Sequence, residues 1–386
     1  MSIAIVIIAY NRLDGFERLV NSLQKADYAT DKVDLIISID NSGVNTIENC
    51  ARQVEWNFGE KIIRTFPERQ GLKKHILSCG VFIKKYDAIV VLEDDLIVSP
   101  AFYQYAKQCV NMYSDCEDVA GISLYSHKRN VFAKYPFIPE PGIYDAYFQQ
   151  MAQSWGQVWM KNQWTAFLDW YEKNKEGFEL TSNLPVQLGS WGDNSWLKYH
   201  IKYCVEENKY FVYPYVSLTT CFSAAGVHSN QDDNVYQVPM YTQPKEQYEL
   251  PQFGCSNAVY YDVFFEREKS IAAALGLSES DLEVDLYGNK NFEKNKKYLL
   301  SINSYDYKII KSFAMSMRPI ENNIFYGISG DTIKLYDLHE PQNNRAVDYD
   351  AEKFTYYHVI SHNTKVVAKY LFGKVMQKIK RPSIKK

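Results

Sequence analysis

Five apolar residues run without interruption into three acids: Ala88, Ile89, Val90, Val91 and Leu92, then Glu93, Asp94 and Asp95. A run this short, uniformly apolar and abruptly ended has the pattern of a strand covered on both faces. In an open α/β sheet the crevice outside the carboxyl ends of such strands is where ligands bind, and the acids fall at that end. Three like charges at one point raise one another's pKa unless a cation is near. A divalent metal carrying a phosphate group resolves the conflict, because a hard cation takes carboxylate and phosphate oxygens together. A solvated acidic turn is the bland alternative.

The residues before and after this strand extend the pattern. Ile3 to Ile8 predicts a first buried strand, and Phe16, Leu19, Val20 and Leu23 recur at helical spacing in a helix from about Asp14. Val33 to Ile39 and Lys61 to Phe66 read as strands, and Gly71 to Lys84 as a helix. Ser99-Pro100 supplies an N-cap and first-position proline for a helix to about Tyr113. Strand-helix alternation over residues 1 to about 125 means a doubly wound, mostly parallel sheet. Three prolines make 135–142 a loop. Met151 to Tyr171 is Trp-rich and expected to be largely helical, Trp191 to Glu207 is a further helix, and Ser223 to Gln247 is a loop. Beyond 250, helices and loops are expected to alternate, giving a mainly helical appendage.

Composition excludes some classes of function. The 386 residues carry a formal net charge of −3, which gives no reason to expect a nucleic-acid partner. The seven cysteines are scattered without a CxxC pair, so neither a zinc site nor a disulfide framework is indicated. No signal peptide or membrane span is evident, so a cytoplasmic location is expected. Thr364 to Lys386 holds eight Lys or Arg and no acid, with Val367, Leu371, Val375 and Ile379 every four residues. That describes a basic amphipathic helix able to contact an anionic membrane face, or equally a surface helix with a basic tail.

Further candidate residues stand at the other strand ends. Ala9, Tyr10, Asn11 and Arg12 follow the first strand, and an Arg there can fork onto a diphosphate. Asp40 closes the second strand, either to accept from a nucleoside or to cap the next helix. His75 lies one turn into its helix, either facing a nucleotide or merely half-buried. Trp155 and Trp159, four apart, fit a sugar-stacking floor or a buried helical seam.

Taken together, the segments resemble a known family. Val90 through Tyr103 is similar to the Glu-Asp-Asp segment of the N-acetylglucosaminyltransferase I family of inverting GT-A glycosyltransferases. Ile8 to Arg12, Ser38-Ile39-Asp40, Lys74-His75, Trp191-Gly192-Asp193-Asn194, Tyr213 to Thr219 and Gly226 to Ser229 keep the family's order over residues 3 to 232. The resemblance implies a GT-A domain over 1–245, its nucleotide-sugar half at 1–125 and its acceptor and catalytic half at 126–245, followed by the appendage at 246–386. It implies that Ala9, Tyr10, Arg12, Asp40, His75, Glu93 and Asp94 bind a UDP-sugar donor. Asp95 binds Mn²⁺ (or Mg²⁺), Asp193 is the general base, and Trp155, Gly156 and Trp191 meet the acceptor. Two departures stand out: Asn194 replaces one of the family's paired acids, and His228-Ser229 inverts its Ser-His order, which makes His228 a second metal ligand or a phosphate contact. Trp191 and Trp196 are expected to wall Asp193 and strengthen it as a base.

The expected activity is therefore metal-assisted, inverting sugar transfer to a glycan or lipid-linked acceptor in surface polysaccharide synthesis. A non-catalytic carbohydrate-binding protein on the same fold is the rival favoured by Asn194. A sugar-nucleotide pyrophosphorylase would need a Gly-rich loop after the first strand, where this chain has the single Gly15.

Overall fold

The computed structural model describes residues 1–222, 235–291, 295–347, 349–358, 368–369 and 372. In chain order the first part holds β1 (Ile3–Ala9), α1 (Leu13–Gln24), β2 (Leu35–Ile39), α2 (Thr46–Gln53), β3 (Lys61–Thr65), α3 (Leu72–Cys79), β4 (Ala88–Glu93), β5 (Leu96–Val98), α4 (Phe102–Tyr113) and β6 (Val119–Ser123). Then come β7 (Ala146–Gln149), β8 (Gln157–Met160), α5 (Lys161–Asn174), α6 (Leu197–Glu206), β9 (Tyr210–Pro214), β10 (Thr219–Cys221) and β11 (Tyr260–Tyr261). Nine of these strands form one sheet in the order β11-β7-β9-β6-β8-β4-β1-β2-β3. β1 to β4 are mutually parallel where they pair, and β8 enters antiparallel between β4 and β6.

Alternation along the strands builds two cores, one on each face of the sheet. Ile5 and Ile7 of β1 join Leu35, Ile37, Val90 and Leu92, and α1 covers them with Phe16, Leu19, Val20 and Leu23, all buried. Ala4, Val6 and Ile8 face the other way with Ile36, Ile89 and Val91, against Ile76, Trp159 and Trp164. Each such side chain contributes roughly 1.5–3 kcal/mol on leaving water. Strands buried on both faces are apolar unless a polar side chain finds a partner, so β1 and β4 are legible as apolar runs and β2 is interrupted only by Ser38, which bonds His75.

Register then decides what meets at the crevice. Ala9 lies opposite Ile39, and Ile8 opposite Glu93. Tyr10 therefore emerges level with Asp40, and Asp94 one residue back beside Ala9. β5 continues just past the acids and pairs antiparallel with β10.

Two expectations are corrected. Residues 151–171 are not largely helical, because Gln157–Met160 is a strand and the helix starts only at Lys161. The run Gln-Val-Trp-Met fills a slot between β4 and β6, so Trp155 and Trp159 do not share a helix face. The appendage is not mainly helical either. After the short α7 (Ser270–Leu275) it contains β12 (Leu282–Asp285), β13 (Tyr298–Ser301), β14 (Tyr307–Phe313), the four-residue α8 (Asn322–Phe325), β15 (Ile333–Pro341) and α9 (Asp350–His358). These strands make a second sheet in the order β12-β13-β15-β14. Its pairs join residues far apart, such as Leu300 with Leu335, and no local periodicity announces them. The large sheet also continues past residue 245, since β11 is its edge strand beside β7.

Candidate active site

Helix α1 starts against the acid triplet, and one glycine sets how closely. A Cβ on Gly15 would lie 2.4 Å from the Asp94 carbonyl oxygen and 3.6 Å from the Asp95 Cα. This approach brings the β1–α1 loop onto the acids. The Tyr10 N–H donates to Asp94 Oδ2 at 3.1 Å, and the Arg12 guanidinium donates to Asp95 Oδ2 at 2.6 Å while lying 3.8 Å from Asp94 Oδ1. Ser154, from the loop before β8, hydrogen-bonds Glu93.

The electrostatics follow from this crowding. Burial first, then the charges of Asp95 and Asp94, push the Glu93 carboxyl up to about 8. Burial raises Asp94 to about 6, with the Tyr10 N–H pulling the other way. Burial works against the charge of Arg12, yet Asp95 and Asp94 hold its pKa above the usual value. The triplet thus retains a proton at neutral pH and shares one guanidinium. Asp95 Oδ1 is buried with no hydrogen-bond partner. Among the described residues no three His, Cys, Asp or Glu side chains form a metal cage. An unpaired carboxylate oxygen without a cage suits a hard cation that draws most of its ligands from phosphate oxygens and water.

One strand over, the Asp40 carboxylate is held by backbone. Its Oδ1 accepts from the N–H groups of Asn41 at 2.8 Å and Gln70 at 2.7 Å, and its Oδ2 from Gly71 at 2.9 Å. It therefore fastens the β3–α3 loop over the strand ends rather than capping α2. His75 is 2% exposed, with Nε2 at 2.8 Å from Ser38 Oγ and its ring edge-on to Phe66. Burial lowers its pKa to about 4, so it is neutral. It is enclosed under β2 and does not face the crevice.

On the acceptor side the expected residues fare differently. Trp155 is half-buried, with its ring centroid 4.9 Å from that of Tyr125 and 4.6 Å from that of Tyr236. Gly156 is buried with φ +96°, and a Cβ there would meet Thr219 Cγ2 at 2.8 Å; the backbone conformation accounts for the glycine. Trp159 belongs to the core, stacked on Trp164 at 3.5 Å. Trp191 lies 6.3 Å from Phe132. Asp193 is not walled by tryptophans. It stands fully exposed at the tip of a turn, and Trp196 is buried instead toward Trp159 and Trp164. Its neighbour Asn194 lines a cleft of ≈ 490 Å³ together with Gln70, Gly71, Lys73, Lys74 and Tyr171. His228 and Ser229 lie outside the described residues.

The structure therefore gathers Ala9, Tyr10, Arg12, Glu93, Asp94 and Asp95, with Asp40 beside them. It adds Gly15 and Ser154, which the motifs did not single out. Gly15 carries one signal, a glycine in the first turn of an otherwise good helix; Ser154 carries none.

Residues 4–168 match the family described as Glycosyl transferase family 2. The match runs from β1 into α5, so it takes in the whole acid crevice and stops short of Asp193. The sheet of this stretch, with helices on both faces and acids at the strand ends, has the GT-A fold that goes with a glycosyltransferase family match. The chain is similar to S. aureus TarS residues 1–349 in complex with UDP-GlcNAc, at 13% identity and a TM-score of 0.38 over 59% of this chain and 60% of that one. It is also similar to the mannosyltransferase PcManGT from Pyrobaculum calidifontis in complex with GDP-Man and Mn²⁺, at 12% identity and a TM-score of 0.34 over 65% and 58%. The chain thus spans about three fifths of the length of each. No curated protein matches it.

Proposed function

We propose that the protein moves a sugar from a UDP-sugar to a hydroxyl of a glycan or lipid-linked acceptor, with inversion, in the synthesis of a surface polysaccharide. The observation that carries this reading is the acid triplet inside the matched domain, where Asp95 keeps a buried, unpaired oxygen and Arg12 stands beside it. In this reading Ala9, Tyr10, Arg12, Asp40, Glu93 and Asp94 hold the donor, with Arg12 turned toward the diphosphate. Asp95 would hold Mn²⁺ or Mg²⁺, with His228 as a second ligand; when bound, the cation supplies charge neutralisation at the leaving diphosphate. His75, enclosed at Ser38, is assigned no donor contact.

The acceptor hydroxyl attacks the anomeric carbon from the face opposite the diphosphate. A new C–O bond forms as the bond to UDP breaks, and Asp193 takes the hydroxyl proton. A positioned base of this kind is worth about 10²–10⁴-fold in rate. Trp155 and Trp191 offer ring faces to the acceptor sugar, and Gly156 lets the Trp155 loop approach β10. The basic pattern of residues 364–386, nearly all outside the described residues, supports contact with the cytoplasmic face of a membrane. No helix among the described residues is long and apolar enough to cross one.

The test is release of UDP from UDP-sugars in the presence of Mn²⁺ and glycan or lipid-linked acceptors. Asp95→Ala and Asp193→Asn should each lower turnover by at least about 10²-fold. Full activity in either variant removes that residue from the mechanism, and sugar binding without UDP binding in calorimetry favours a non-catalytic protein.

A further inference from the structure

Helix α6 carries a lysine in an unusual place. Lys198, the second residue of the helix, has a side chain only 4% exposed. Its ammonium has three donors, and the hydrogen bond it makes is to the Trp191 carbonyl at 3.0 Å. The rings of Phe178 at 4.9 Å and Tyr199 at 5.7 Å supply further cation–π support. Among the described residues its ion-pair partner is Asp193, with Oδ1 at 3.9 Å. The pair is lopsided, because the cation is buried and the carboxylate is in solvent. Burial disfavours the ammonium, and a positive charge in the first turn of a helix opposes the macrodipole. What the lysine achieves against both is a hold on one loop.

That loop is the turn from Gly192 to Ser195, closed by the Ser195 N–H donating to the Gly192 carbonyl at 3.0 Å. Lys198 fastens its near end at Trp191, while Asp193 and Asn194 form its tip. Asn194 faces the cleft shared with Gln70 and Gly71, whose N–H groups are fixed by Asp40 at the end of β2. The tip thereby borders a cleft whose far wall, at Gln70 and Gly71, is tied to Asp40 at the strand ends. Lys202, one turn further along α6, is also buried, but its ammonium donates to the Glu179 carbonyl at 2.8 Å and pairs with Glu206 at 3.5 Å. It shares the Phe178 ring with Lys198, but its hydrogen bond and ion pair go to Glu179 and Glu206 rather than to the turn, so it serves as an internal control.

We propose that Lys198 is a positioning residue that holds the Trp191–Asp193 turn, so that the Asp193 carboxylate is presented to the acceptor hydroxyl. The inference rests on the glycosyl transfer reading above. Melting temperature and transfer kinetics with a UDP-sugar and Mn²⁺ test it in Lys198→Met, Lys198→Arg, Lys202→Met and Asp193→Asn. Lys198→Met should lower kcat about 10²-fold, the usual consequence of misplacing a reacting group by about 1 Å, with the donor KM nearly unchanged. Lys198→Arg should restore most of the loss. In the Asp193→Asn background, Lys198→Met should cost nothing further, since both act on one step. Lys202→Met should lower the melting temperature and leave kcat intact. If Lys198→Met does not fold, Lys198→Gln, which removes the charge but keeps a donor, should show a smaller kcat loss that again vanishes in the Asp193→Asn background.

A loss that persists undiminished in the Asp193→Asn background, or an equal kcat loss in Lys202→Met, overturns the positioning role while leaving the transfer reading intact. A wild-type chain that transfers no sugar from any UDP-sugar overturns both.

Discussion

Gly15→Ala pits helix propensity against geometry. The substitution adds one methyl group in the first turn of α1. By propensity alone, alanine stabilises a helix interior by up to about 1 kcal/mol over glycine. Here the new Cβ would sit 2.4 Å from the Asp94 carbonyl oxygen and 3.4 Å from its carbon. Ordinary contact needs close to 1 Å more, and both partners are backbone, so no flexible side chain can yield. Either α1 or the Glu93–Asp95 peptide must shift. Overpacking of this kind costs about 1–3 kcal/mol, which leaves a net destabilisation of up to about 2 kcal/mol after the propensity gain. The shift also drags Arg12 and the Tyr10 N–H from their carboxylates, so turnover should fall about 10²-fold. Urea denaturation at constant m-value reads the first effect, and UDP release with Mn²⁺ reads the second. A Gly15→Ala protein more stable than wild type refutes the close approach of α1 to the triplet.

Three further outcomes follow from the same geometry. Glu93 keeps its proton to about 8 in the folded chain against an ordinary 4.5, so the folded state binds more protons between those values, and this contribution to stability is full below about 4.5 and lost as pH rises toward 8; Glu93→Gln should flatten the fall in urea midpoint across that window, and parallel curves for the two proteins would count against a shared proton. Binding of Mn²⁺ with UDP at pH 7 should release roughly one proton as the cation displaces it, seen as a dependence of calorimetric enthalpy on the buffer's ionisation heat; buffer-independent heats would show the carboxyl already ionised. Trp164→Ala removes a ring stacked on Trp159 at 3.5 Å and packed over Gly80, so it should cost about 3–5 kcal/mol in chemical denaturation, and a loss below about 1 kcal/mol would mean the site collapses around the cavity.

The acid crevice is legible because the strands that end in it are buried on both faces. Ile3–Ala9 and Ala88–Leu92 are apolar throughout, and Leu35–Ile39 carries only Ser38, satisfied by His75, so the polar residues that end them stand out at once. Where burial was one-sided or the partner distant, local pattern misled. Trp155 and Trp159 sit four apart, which suits a helix, yet the gap between β4 and β6 takes Gln157–Met160 as a strand. The β13–β15 pairing spans more than thirty residues and leaves no periodic trace. The Asp40 carboxylate suits a ligand or a helix cap alike; besides Asn41, the N–H groups it accepts from belong to Gln70 and Gly71, 30 and 31 residues away, which no local pattern announces. The wall expected around Asp193 failed for a related reason. Trp191 and Trp196 flank it in sequence, but the turn between them points its tip outward while Trp196 turns into the core.

The acid triplet gains a consistent physical account from these pieces. Parallel register puts Tyr10 level with Asp40 and Asp94 one residue back beside Ala9, so charge gathers at the carboxyl ends of three neighbouring strands. That concentration is tolerated by two removable counterweights, the proton on Glu93 and the guanidinium of Arg12. The Arg12 side chain is 28% exposed, and an ion pair that water reaches is worth only about 0–1 kcal/mol. Transfer of the guanidinium from Asp95 to a diphosphate therefore loses little. It also frees the one carboxylate that already has an unpaired buried oxygen. In the proposed reaction a cation and a diphosphate replace the proton and the arginine together, and the crevice moves from one neutralised state to another without refolding its backbone. Preorganisation of this sort is where most of an active site's electrostatic advantage arises. Here it traces to strand register, to Gly15 beneath Asp94, and to an Arg12 side chain exposed enough to leave Asp95 for a diphosphate.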